Sequence, residues 1–134
     1  MRAGTTLGWI LAAGLIGGAV FLVPLGYRTD YAGHFLAGFG GTLALFAVSL
    51  ALGRPAFRWE AVGIVIASIA LGAWLEATRF KIAIFDPVDF ANQSLGAVLA
   101  GAALWERRPS ASLVAGTGVL AILFLGVGFL LAFA

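Results

Sequence analysis

Five apolar runs, each near membrane-crossing length and separated by short connections, leave this chain few folds to choose from. They lie near Leu7 to Leu25, Ala32 to Leu52, Ala61 to Ala77, Val88 to Trp105 and Leu113 to the last residue, Ala134. A helix rises about 1.5 Å per residue, so each run covers most or all of a hydrocarbon core of about 30 Å, the third and fourth at the short end. A soluble domain of 134 residues has too small a core to hide so much apolar sequence: 62% of the residues are hydrophobic and 10% are charged. The expected fold is all-α, a polytopic transmembrane helical bundle of about five spans. Residues 1–134 form one integral membrane domain, with spans near 7–25, 32–52, 61–77, 88–105 and 113–134.

The first run follows Met1 and Arg2 with no A-x-A-like cleavage site after it, so it reads as a retained span. Cysteine is absent, which excludes disulfides, thiol catalysis and Cys-ligated metal or iron-sulfur sites. A dispersed net charge of +2 does not fit a nucleic acid partner. Nineteen glycines suit the close approach of helices in lipid.

With five spans, Arg2, Arg54, Arg58, Arg107 and Arg108 fall on one side of the membrane, and Arg28, Arg79 and Lys81 on the other. The positive-inside rule then places the N-terminus in the cytoplasm and the C-terminus outside. Trp9, Trp59 and Trp105 fall toward the cytoplasmic interface and Trp74 toward the outer one. The only His and four of the six acids gather on the outer side, so chemistry is sought there.

Three helix ends carry that polar set. In RTDYAGHFLAGFGG, Asp30 is expected to cap the second span, with His34 one turn deeper on the same face and Ala37, Gly38 and Gly41 below. The third span mirrors this with Ser68 and Gly72 under Glu76, a carboxylate expected to face the bundle and meet Arg79, Lys81 or His34. In FDPVDFANQSLG, Asp86 and Pro87 read as N-cap and first helical residue, while Asp89, Asn92, Gln93 and Gly96 share a face. The pattern implies one outward-opening pocket shared by three helices. His34, Glu76 and Asp89 are the candidate catalytic residues, as paired carboxylates beside an imidazole support proton transfer. Asp30, Arg79, Lys81, Asp86 and Asn92 are the candidate binding residues. One His among carboxylates has no diagnostic ligand spacing, so no metal and no cofactor is assigned. The segment RFKIAIF alternates charged and apolar residues and is expected to lie along the interface as a lid or re-entrant link.

These residues carry a resemblance. Asp30 followed four positions later by His34 and Phe35, Glu76 at the end of the next span, a basic residue in the connection, and Asp89 with Gly96 seven positions on resemble the VanZ-like family over about residues 27–104. Its members are small multi-pass membrane proteins, and the namesake is associated with low-level teicoplanin resistance. The resemblance implies an outward-facing polar site on an envelope protein, with Asp30, His34, Glu76 and Asp89 at the shared positions. The chain departs from the pattern in carrying Arg79 where Gln is usual, and Gln93 where Asn is usual, with Asn92 one place early.

The leading expectation is a cell-envelope protein whose pocket binds or acts on a lipid-linked or anionic amphiphile, Arg79 and Lys81 attracting its head group. No particular reaction is singled out. The alternative is an accessory structural subunit of a larger membrane complex, docking a partner through the glycines of the fifth span. A proton-coupled transporter fits less well, because acids near one interface do not make a path across the membrane.

Overall fold

The computed structural model describes residues 3–54, 58–78, 85–105 and 107–133. Five helices fill them: α1 (Ala3–Leu22), α2 (Thr29–Ala51), α3 (Arg58–Thr78), α4 (Pro87–Ala103) and α5 (Ala111–Ala132). No strand occurs among the described residues, so the fold is all-helical as the apolar runs predict. Four helices, α1, α2, α3 and α5, are long and apolar enough to cross a membrane. The fifth, α4, has 17 residues and carries Asp89 in its first turn.

Boundaries follow local chemistry more closely than hydropathy. The first apolar run continues to Leu25, yet α1 stops at Leu22, because the residue before Pro24 disfavours helical backbone. The chain then reverses through Gly26 and Tyr27, both in the left-handed region (φ 78° and 61°). The reversal is closed by Tyr27 N donating to Leu22 O and Arg28 N to Phe21 O, each at 3.1 Å. At α4 the structure has the N-cap that sequence predicts: Asp86 accepts from Val88 N at 2.7 Å, with Pro87 in the first turn. Ser110 caps α5 in the same way, accepting from Leu113 N at 3.2 Å.

Short connections make successive helices alternate in direction. At the centre stands α2, which packs against all four other helices. Around it the others form an open ring, since α5 packs on α1, α1 on α4, and α4 on α3. Among the described residues α3 and α5 do not touch, so the ring has one gap.

Glycine makes the tight parts of this arrangement possible. A Cβ on Gly33 would meet the backbone of Ala132, one on Gly40 would lie 2.7 Å from Leu125 N, and one on Gly128 would lie 2.7 Å from Ala37 N. The backbones of α2 and α5 therefore approach closely along three turns, the small-residue packing that lipid favours. The core beneath is aromatic: the rings of Phe21, Phe35, Phe39 and Phe124 follow one another at centroid spacings of 5.7, 6.0 and 5.1 Å. Gly17 and Gly14 form the sockets for Phe35 and Phe124. On the outside, Trp9, Ile16, Ile66, Ile122 and Leu130 are exposed, an apolar perimeter suited to acyl chains.

Candidate functional site

The gap in the ring is a cleft. Its floor is the small-residue face of α2, its walls are α3 and α5, and it encloses about 610 Å³. Ala37, Gly38, Gly41 and Ala44 form the floor, Leu71 and Leu75 stand on α3, and Leu125, Gly128, Phe129 and Ala132 stand on α5. Polar groups gather at one end, where His34, Glu76, Asp89 and Gln93 line the opening. The other end is apolar apart from Ser68, whose hydroxyl lies 2.7 Å from that of Thr42. Thr42 gives its single proton to Gly38 O at 2.8 Å, so the proton between the two hydroxyls comes from Ser68.

Helical periodicity explains why these side chains converge. His34, Gly38 and Gly41 lie on one stripe of α2, Ser68, Gly72 and Glu76 on one stripe of α3, and Asp89 and Gln93 one turn apart on α4. Glycine again sets the fit, because a Cβ on Gly72 would overlap the Gln93 amide and one on Gly38 would strike the Gln93 backbone. Gln93 thus reaches across to α3 one turn below Asp89.

Among the candidate residues, His34 and Asp89 are brought together, with Nε2 3.3 Å from Oδ2 and the two side chains 23% and 19% exposed. The other carboxylate oxygen, Asp89 Oδ1, is buried with no hydrogen-bond partner. Glu76 lines the same opening, but His34 takes Asp89 rather than Glu76 as its partner. Asp30 does not cap α2 as expected. The N-cap is Arg28, with no side-chain cap bond, and Asp30 sits in the first turn paired to Arg28 at 2.8 Å. The physical reason is competition: a guanidinium two residues away offers a charge-assisted fork that a backbone amide cannot match. That hydrogen bond pushes the Arg28 guanidinium above its already high pKa, and the group also lies 3.5 Å over the Tyr31 ring. Asn92 does not line the cleft; its Nδ2 is buried without a partner, and Gln93 takes the cleft position. Arg79 and Lys81 lie outside the described residues, as does most of RFKIAIF.

Asp86 has a structural role that predicts a measurable effect. Asp86→Ala is expected to fray the first turn of α4 and lower stability by about 1 kcal/mol. Hydrogen exchange should accelerate at the Val88 and Asp89 amides, while the α2–α5 interface keeps its protection.

What sequence reasoning did not place is the α5 wall. That helix is apolar all round, with no polar stripe to mark which face turns inward. Its glycines divide: Gly128 packs on α2 and Gly116 on Leu7, while Gly118 and Gly126 face open space. The expected partner-docking helix therefore packs on α2 and α1 along one face and leaves another face exposed. Compared with known protein families, curated proteins and solved structures, the chain matches none.

Proposed function

We propose that this protein binds a membrane amphiphile in the cleft between α3 and α5, head group at His34, Glu76, Asp89 and Gln93, tail along Gly41 and Ala44. The observation that carries this reading is the length and polarity of the cleft. It runs from His34 to Leu45 on α2 and from Glu76 to Ser68 on α3, roughly 12–16 Å by helical rise. That is about half of a 30 Å hydrocarbon core, the depth of one leaflet. A partner helix crossing the membrane needs a groove of full length, whereas a lipid from one leaflet needs a polar station at the interface and an apolar trough below it. The gap also opens sideways, so a lipid enters from the bilayer without passing through water.

In this reading the protein is a VanZ-like cell-envelope component of the bacterial inner membrane, N-terminus cytoplasmic, with the polar end of the cleft facing outward. His34 and Asp89 orient one another, and Glu76 completes a pair of carboxylates able to hold or pass a proton. The alternative, an accessory subunit, draws on Gly118, Ile122 and Gly126, which form an open stripe on the outer face of α5. Mild extraction yielding a stoichiometric complex would favour it.

Photo-crosslinking tests the amphiphile reading. A phospholipid with a mid-chain diazirine, reconstituted with the protein, is expected to label Gly41, Leu71 and Leu125 in preference to the perimeter residues Ile16 and Ile122. Labelling spread evenly over the perimeter would overturn it.

A further inference from the structure

At the end of the bundle opposite the polar opening of the cleft, the start of α1 meets the turn from α4 into α5, and between them lies a second cavity of about 440 Å³. We infer that this cavity is a phosphate site, which takes the phosphate group of an anionic lipid or a free phosphate ion. Ala3 and Thr6 line it from α1, and Arg107, Arg108, Ser110 and Leu113 line it from the turn and the first turn of α5. None of these residues lines the cleft, so the inference stands apart from the amphiphile reading.

The chemistry of the cavity is that of donors. Thr6 is only 2% exposed, and among the described residues its hydroxyl has no hydrogen-bond partner. Thr117 shares that lack, but its oxygen is sealed inside the bundle; that of Thr6 is not sealed, and Thr6 lines the cavity. A buried hydroxyl is costly without a partner, so a donor left over in a polar cavity calls for an acceptor there. Two guanidiniums stand beside it. Arg108 is exposed and pairs with no acid among the described residues, while Arg107 is held by a contact of its own. Ser110 caps α5 by accepting from Leu113 N at 3.2 Å, so its own proton goes to Ser112 Oγ, 3.4 Å away, or into the cavity. The 22 residues of α5 direct the positive end of the helix dipole at the same turn. No carboxylate lines the cavity among the described residues, and the neighbours outside them, Arg2 and Glu106, carry opposite charges that cancel in the count. A phosphate supplies both the charge and the several oxygens that a guanidinium fork and a hydroxyl need together. Lipid phosphates lie at this level of a membrane, where basic pockets between helices take them.

The test uses the full-length protein in two settings. In nanodiscs made from equal parts of phosphatidylglycerol and phosphatidylcholine with identical acyl chains, retained lipid is read by native mass spectrometry. In nanodiscs of phosphatidylcholine alone, inorganic phosphate is titrated beside sodium chloride of equal ionic strength, and the thermal midpoint is read. Phosphatidylglycerol is expected to be retained over phosphatidylcholine by about tenfold, the scale of a charge-assisted hydrogen bond. Arg108→Gln and the isosteric Thr6→Val are each expected to reduce that preference by about threefold or more. Such a preference identifies the lipid phosphate as the occupant. Equal retention of the two lipids, with a midpoint raised by phosphate and not by chloride, identifies the free ion instead. The absence of both responses would overturn the site. A response that both variants keep in full would also overturn it, because the anion then sits elsewhere on the protein. The wild-type arms can sink the inference unaided, so the test survives a variant that fails to fold.

Discussion

Gly96→Val is expected to lower the stability of the bundle by about 3 kcal/mol or more, the upper end of what overpacking causes. A Cβ at this position would overlap the carbonyl oxygen of Phe35 and lie 2.8 Å from Phe39 N. Those are backbone atoms of the central helix, which cannot swing aside as a side-chain tip does. Nor can α2 retreat as a body, because its opposite face is already backbone to backbone with α5 at Gly33 and Gly40. Gly63 provides the contrast. Nothing lies within 4 Å of a Cβ placed there, so Gly63→Ala is expected to stabilise α3 by about 0.5–1 kcal/mol through helix propensity alone. Thermal midpoints in the same detergent, with the monodisperse fraction after extraction, check both. Equal midpoints for the two variants would mean that the α2–α4 contact is far looser than the structure has it.

The second large effect is expected at Gly41, with the opposite balance of fold and function. A Cβ on Gly41 finds Ser68 Oγ at 3.9 Å and Leu125 Cδ2 at 4.0 Å, ordinary contacts that need no adjustment. Gly41→Leu therefore keeps the bundle and projects its branch into the middle of the trough, where the proposed acyl chain lies. Thermal stability should hold or rise slightly, and lipid labelling within the cleft should fall at least about tenfold, the consequence of losing burial for several methylenes at about 0.8 kcal/mol each. A stable variant with undiminished labelling would place the amphiphile elsewhere.

Sequence and structure part company along a physical line. Helix existence was legible because a lipid-facing helix needs a long apolar run, and because Asp86, Pro87 and Ser110 mark starts chemically. The polar end of the cleft was legible for a related reason: His34, Glu76 and Asp89 are too costly to point at acyl chains, so their faces declare themselves inward. Beneath them the pairing of small residues, Gly38 and Gly72 with Gln93, follows the same stripes. Long-range choices without a polar marker were not legible. The inward face of α5, the missing contact between α3 and α5, and the preference of His34 for Asp89 over Glu76 all depend on how helices are arranged around α2. Asp30 shows the same limit at short range, since capping and ion pairing compete for one carboxylate and the sequence does not say that Arg28 wins.

The shortness of α4 has a consequence for the bilayer itself. At 17 residues it is about 25 Å long, against about 35 Å for the 23 residues of α2 beside it. Its first residue, Pro87, is two before Asp89, whereas α2 begins five residues before His34, so α4 starts about one turn lower at the end where those side chains meet. Lipid next to α4 must thin by several ångströms to match, at a fraction of a kcal/mol for each. We expect the bilayer to be thinner on that flank, which would bring head groups toward the level of Asp89 and make membrane thickness part of what defines the site.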